Sequence, residues 1–248
     1  MNGMKHFGIL GHSSEGAAHC LRSFCARGME QLGGFEHPDV TLDCIAFGQS
    51  MSAWQMGDYK AVRAILSRSV DRLAAAGADF FACADNTAHL ALELPGDEFA
   101  IPGLHLPEVV ADQAQARGYE RVGVLGTRFT MDGPIYPDAL GARGIAAVTP
   151  DEDDRRLVDD IIFGELVLGK FTDAARQRYV EIIGRLELAG CDAVALVCTE
   201  IPLLLGPGAS SVPTLDSTVL LAEAAYDVCV GARAFPTWRG GEVDRGQG

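Results

Sequence analysis

Short apolar runs alternate along the chain with longer stretches whose apolar positions recur every three or four residues. The short runs, at residues 6–10, 40–47, 79–84, 100–104, 121–125, 146–148, 193–197 and 212–215, read as strands. The longer stretches read as helices. In 59–76, Val62, Ile65, Leu66 and Leu73 recur at helical spacing, and 108–117, 155–168, 173–189 and 219–230 are further candidates. Strands alternating with helices of this length predict βαβ units and parallel sheets, hence an α/β fold. Ligands of such sheets bind beyond the carboxyl ends of the strands, where loops lead into helix N-termini.

The pattern also repeats. Gly77-Ala-Asp-Phe-Phe-Ala-Cys-Ala-Asp85 and Gly190-Cys-Asp-Ala-Val-Ala-Leu-Val-Cys198 both begin Gly-x-Asp, pass through an apolar strand and end on a reactive side chain. Asn86-Thr87 follows the first and Thr199-Glu200 the second. Gly8-Ile-Leu-Gly11-His12 and Gly123-Val-Leu-Gly126-Thr127 are a second matched pair. Gly11 and Asp85 are 74 residues apart, and Gly126 and Cys198 are 72 apart. Two matched pairs at matched separation predict a duplication. The expected molecule has two similar domains, each with a central, mainly parallel sheet flanked by helices. They are related by a pseudo-twofold axis, with the active site between them. The expected boundaries are 1–103 plus 209–248 for one half and 104–208 for the other, the strand and helix after Pro207 returning to the first half.

Composition narrows the function. A formal net charge of −14 argues against nucleic acid, whose phosphates need a basic footprint. A small anionic substrate is still allowed, because a local site can be positive inside an acidic protein. The seven cysteines are odd in number and show no CxxC spacing, which disfavours a disulfide framework and fits a reducing, cytoplasmic compartment. No apolar run approaches the roughly 20 residues of a membrane span. Gly8–Gly11 is too sparse a glycine signal for a dinucleotide fingerprint. The acidic run 151–154 reads as a solvated helix start.

Asp85-Asn-Thr-Ala-His89 resembles the Cys-Asn-Thr-Ala-His segment of the aspartate/glutamate racemase superfamily, and Cys198-Thr-Glu-Ile-Pro202 resembles its second cysteine motif. The segments 125–131, 215–218 and 222–225 are also similar to family segments. The resemblance implies a two-domain α/β enzyme without cofactor or metal, often a homodimer, acting on an amino acid or related small carboxylate. Asp85 stands at the family's first cysteine. Cys83 lies two residues away, on the same side of the strand but about 7 Å lower, so it is no simple substitute. Acidic-substrate racemases of this kind carry basic residues in two stretches. Here these read Cys44-Ile-Ala-Phe-Gly48 and Glu165-Leu-Val-Leu168, neither with Arg or Lys, although Lys170 follows the second.

Proton abstraction at the α-carbon of a carboxylate needs a strong base, donors for the developing enediolate and exclusion of water. Inversion also needs an acid on the opposite face. Cys198 is one candidate. A helix N-terminus at Thr199-Glu200 would favour its thiolate, with Glu200 as a supporting proton acceptor; the plain alternative is a buried structural cysteine. Asp85 is the other. A carboxylate with an ordinary pKa near 4 is a poor base for a carbon acid, so burial would have to raise it. Alternatively Asp85 binds a substrate ammonium or hydroxyl, or caps the following helix. Asn86, Thr87, Thr199, Thr127 and Thr130 are candidate carboxylate binders at helix starts, and each could equally be an N-cap. His12 occupies the matching loop of the first half, as a candidate substrate binder, and His89 is a supporting or packing residue.

Four functions stay open. They are a racemase or epimerase using Cys198 and Asp85, a decarboxylase of the arylmalonate type using Cys198 alone, a cis–trans isomerase of a small diacid with Cys198 as nucleophile, and a non-catalytic carboxylate-binding protein.

Overall fold

The computed structural model describes residues 3–206 and 208–245. The outermost residues of the expected first half, 1–2 and 246–248, and Pro207 lie outside them. The described residues form eight strands: β1 (Phe7–Gly11), β2 (Val40–Cys44), β3 (Phe80–Cys83), β4 (Gly103–Leu104), β5 (Arg121–Leu125), β6 (Ala146–Val148), β7 (Ala193–Leu196) and β8 (Thr214–Asp216). They form two sheets of four, ordered β2-β1-β3-β4 and β6-β5-β7-β8, with every pairing parallel. The second order repeats the first, strand for strand.

The chain divides into two compact units, Met1–Leu106 with Thr218–Asp244, and Pro107–Ser217 with Arg245–Gly248. The expected boundary after residue 208 falls too early. β8 continues the second sheet by pairing with β7, where Val194 N–H donates to Pro213 O (3.0 Å). The return to the first unit begins only at Thr218, inside the helix Ser217–Cys229 that follows β8.

In the first unit, helix Tyr59–Ala75 buries Val62, Leu66, Val70 and Leu73 at three- and four-residue spacing, against a core that includes Leu10, Ile45, Phe81, Leu92 and Phe99. Each such side chain contributes on the order of 2 kcal/mol. The helix Ser14–Leu32, absent from the expected set, buries Gly16, Ala17, Cys20, Phe24 and Gly28. In the second unit, helix Asp173–Leu188 packs in the corresponding way with Ala175, Tyr179, Ile182, Ile183 and Leu186.

The repeated Gly-x-Asp motif proves to be a structural pin. Gly77 and Gly190 take positive φ (+92° and +88°) after the helix, which L side chains rarely adopt. Asp79 then accepts from His6 N–H (2.8 Å) and Asp192 from Arg121 N–H (3.3 Å). Each aspartate thereby ties the start of one central strand to its neighbour and sets the register that positions the other strand end.

Candidate active site

Register brings the chemistry together in both units. Leu10 pairs with Cys83, so His12 and Asp85, each two residues on, emerge side by side. Leu125 pairs with Leu196, which places Thr127 and Cys198 in the equivalent positions. The bonds past the strand ends match as well: Ala84 N–H donates to Leu10 O (3.0 Å) and Val197 N–H to Leu125 O (2.8 Å). Both strands close on glycine because nothing larger fits. A Cβ on Gly11 would lie 2.6 Å from Ala17 Cβ, and one on Gly126 would lie 2.8 Å from Val197 O.

In the first unit, His12 Nδ1 lies 2.8 Å from Asp85 Oδ2, and His12 Nε2 lies 2.7 Å from Ser50 Oγ. The Ser50 hydroxyl donates to Phe47 O (3.1 Å). Asp85 Oδ1 accepts from Ala88 N–H (3.3 Å) within the turn, but helix His89–Leu92 has Ala88 at its N-cap and no side-chain cap hydrogen bond, so Asp85 is not the helix cap. The Asp85 side chain is 16% exposed and that of His12 0%. Burial pushes the Asp85 carboxyl upward, but chiefly the hydrogen bond and charge of His12, with the Ala88 N–H, outweigh it, and the net shift is downward. This corrects the expectation that burial would raise Asp85 into the range of a strong base. The imidazole beside it, unseen in the sequence spacing, is the physical reason.

The sequence places His12 among the substrate binders. Instead it lies beneath Asp85 with both ring nitrogens engaged inside the unit. His89 is fully buried, and its Nδ1 donates to Asp85 O (2.9 Å). Burial first, then His105, lowers it to about 3, so the ring is neutral and packs edge-on to His105 (4.8 Å between centroids). The Cys83 thiol, pointing to Asp85 O (3.8 Å), is buried and pushed well up by desolvation. Asn86 is buried and Thr87 half-buried, in the turn after Asp85.

In the second unit, Cys198 Sγ donates to Glu200 Oε2 (3.2 Å), and Thr199 Oγ1 donates to the same oxygen (2.7 Å). Cys198 is 8% exposed, with Thr199 and Glu200 also buried. A thiol and a carboxylate at this distance can exchange a proton while the pair carries one negative charge throughout. Thr127 caps helix Arg128–Asp132, accepting from Thr130 N–H (3.3 Å), and the two hydroxyls lie 3.1 Å apart. Tyr179, which the sequence presents only as part of a helix face, adjoins this cluster. Its hydroxyl is raised well above the ordinary value by burial, then by negative charge at Cys198, Asp159 and Glu200, and therefore stays neutral.

The helices expected to start at Asn86-Thr87 and Thr199-Glu200 start later and are short, His89–Leu92 and Ile201–Leu205. Helices of one turn carry little macrodipole. At Asp85, burial is instead opposed chiefly by the hydrogen bond and charge of His12. Among the described residues no group of three or more His, Cys, Asp or Glu side chains is placed to hold a metal ion. None of their helices is long and apolar enough to cross a membrane.

Two parallel α/β sheets of one topology, each ending its third strand on an ionisable side chain with a built-in proton partner, define a duplicated fold suited to proton transfer. The profile of the Asp/Glu/Hydantoin racemase family matches residues 9–225, and the chain belongs to that family. A candidate Asp/Glu racemase from Yersinia pestis, known from its crystal structure, superposes with a TM-score of 0.80 at 31% identity over 92% of this chain and 100% of its own. An aspartate racemase homologue from Pyrococcus horikoshii does so with a TM-score of 0.75 at 26% identity, over 92% and 100%. The broad specificity amino-acid racemase RacX of Bacillus subtilis is 27% identical over 65% of this chain and 69% of its own length.

Proposed function

We propose that the protein is a cofactor-independent racemase or epimerase acting at the α-carbon of an amino acid or related small carboxylate. The observation that carries this reading is the Cys198–Glu200 contact of 3.2 Å at the strand end equivalent to that of Asp85. Glu200 takes the thiol proton, and the thiolate then takes the α-proton. The C–H electron pair passes into the substrate carboxylate as an enediolate. Inversion requires a proton from the opposite face, for which Asp85, backed by His12, is the candidate. Asn86, Thr87, Thr199, Thr127 and Thr130 are the candidate donors to the carboxylate.

The named activity of the Bacillus subtilis relative supports an amino-acid substrate. The absence of Arg or Lys from 44–48 and 165–168 supports a side chain other than an acidic one. Free cysteines throughout the described residues agree with a reducing compartment such as the cytoplasm, and the family resemblance suggests a homodimer. The test is α-proton exchange in deuterated water across a panel of amino and hydroxy acids. Exchange with inversion is expected for the wild type, and undiminished exchange in Cys198→Ala would overturn the mechanism.

One observation favours a second reading, decarboxylation with Cys198 as sole proton donor. A bare Asp85 carboxylate would repel a departing carboxylate, whereas its pairing with His12 at 2.8 Å offsets that charge. Release of CO2 from a disubstituted malonate, without racemase activity, would select it.

A further inference from the structure

The buried chain Ser50–His12–Asp85 has the order of hydrogen bonds of a serine–histidine–aspartate relay, but its exposed end is the carboxylate. Ser50 and His12 are both 0% exposed, while the Asp85 side chain is 16% exposed. A solute therefore meets Asp85, and the imidazole acts only through it.

The protons can be counted from the geometry. Ser50 has one O–H, and it is donated to Phe47 O (3.1 Å). With the hydroxyl turned that way, the 2.7 Å contact with His12 runs from Nε2–H to Ser50 Oγ. A hydrogen bond over the 2.8 Å between Nδ1 and Asp85 Oδ2 requires a second proton. In that arrangement imidazole and carboxyl together hold one proton more than neutral histidine plus carboxylate, and the pair is uncharged overall. The Phe47 ring (5.0 Å between centroids) and the Trp54 ring (6.5 Å) flank His12. If the Ser50 hydroxyl turns from Phe47 O to Nε2, both ring nitrogens keep their hydrogen bonds with one proton fewer. The three side chains can therefore gain or lose a proton without leaving a ring nitrogen orphaned.

We propose that His12 and Ser50 are positioning residues that make Asp85 one end of a shared-proton pair, so that the first unit's acid–base group is the pair and not an isolated carboxylate. This rests on the racemase reading for its role in turnover, but the shared proton is a property of the folded chain itself. It answers the chemical weakness of a lone aspartate as a partner for a carbon acid: the carboxylate is aimed by Nδ1, and the charge it gains or loses is met by the ring behind it. Other titratable groups around Asp85 are Cys83 on β3, with Cys20 of helix Ser14–Leu32 near it, and His89 after the turn, with His105 and Glu93 behind. Burial keeps Cys83 and His89 neutral at neutral pH.

Two readouts on the full-length protein test the proposal. Proton NMR should show a downfield imidazole N–H signal at neutral pH. It should be lost in Asp85→Asn and in His12→Gln and retained in Cys198→Ala, all three confirmed as folded by circular dichroism. Retention of the signal in Asp85→Asn, or its absence from the wild type, would overturn the shared proton whether or not a substrate is known. The second readout is the pH profile of kcat/KM for α-proton exchange. Ser50→Ala removes the acceptor of Nε2–H and disfavours the protonated pair, so the inflection should move to lower pH by about half a unit or more. Ser50→Thr, which restores the hydroxyl, should move it back. A profile unchanged in Ser50→Ala would reduce Ser50 to a packing residue and overturn its part. If no substrate in the panel turns over, the racemase reading falls while the NMR result still decides the pairing.

Discussion

Asp85 and Cys198 stand at the same position of two copies of one strand pair, each two residues beyond a register-matched partner in the parallel ladder. Their neighbours have diverged. Asp85 meets an imidazole at 2.8 Å, whereas Cys198 meets a carboxylate at 3.2 Å. One copy thus pairs an acid with a base behind it, and the other pairs a soft nucleophile with an acceptor beside it. This difference gives each strand end its own experimental signature.

Replacing Cys198 by Ala should lower the rate of α-proton exchange by about 100- to 10,000-fold, the usual worth of a positioned acid–base group. The thiol is nearly buried, so its loss leaves a small void and the melting temperature should fall only modestly. Exchange followed by NMR in deuterated water, beside a thermal melt, separates the two effects.

Glu200→Gln preserves an acceptor for the Thr199 hydroxyl but cannot take a proton from sulfur. kcat should fall by about 100-fold, with KM little changed, because the substitution removes proton transfer and not a binding group. A KM effect with kcat intact would move Glu200 from proton acceptor to substrate binder.

Asp85→Asn should cost stability as well as activity. The carboxyl is held below its ordinary value, so above the unfolded-state pKa near 4 the native interactions contribute in full, and they are lost as pH falls through the lower, native value. At pH 7 the variant should be less stable by about 1–3 kcal/mol, the cost of a broken buried hydrogen bond to a charged group. Denaturant midpoints of the two proteins should converge as the solution is acidified below about pH 4.

His89 gives a pH dependence at a different place. Its native value is lowered from 6.5 to about 3, chiefly by burial. The unfolded chain therefore binds more protons between those values, and stability falls as pH drops below about 6.5, by up to about 1.4 kcal/mol per pH unit. Trp238 stacks on the His89 ring (6.3 Å) and provides the fluorescence signal. His89→Gln should flatten this slope between pH 7 and 5.

Gly126→Ala tests the close approach at the second strand end. The new Cβ would meet the Val197 carbonyl, which is backbone and cannot swing aside. A loss of about 1–3 kcal/mol is expected from overpacking. Activity should fall too, because Val197 directly precedes Cys198.

Most of the sheet framework was legible because buried parallel strands leave continuous apolar runs, and all eight expected strands exist. The duplication was legible in Gly-x-Asp because both halves need the same turn and the same pin. Its further extent was not. Pro102-Gly-Leu104 and Pro213-Thr-Leu215 are equivalent, each proline carbonyl accepting from a central strand (2.9 and 3.0 Å), but proline before a strand is too common a signal to notice. The helix Ser14–Leu32 was missed because its buried face is largely Gly, Ala and Cys, which give little amphipathic contrast. The loop that carries His12 was legible, but the side chain's place beneath Asp85 was not, since its partner lies 73 residues away and meets it only through strand register. Ser50, between the short helices Phe47–Gln49 and Met51–Gln55 after β2, carried no signal at all.

The chain also returns late to its beginning. Cys229 O accepts from Lys5 N–H (3.0 Å), Arg239 O from Phe99 N–H (2.9 Å), and Gly103 bridges to Trp238. The first unit is therefore closed by residues that follow the whole of the second sheet in the chain. Its early strands must wait, as the second unit is synthesised, for the segment that seals them. A nascent chain stalled before Thr218 should expose the same surfaces that a C-terminal truncation would, and both are expected substrates for chaperones and proteases.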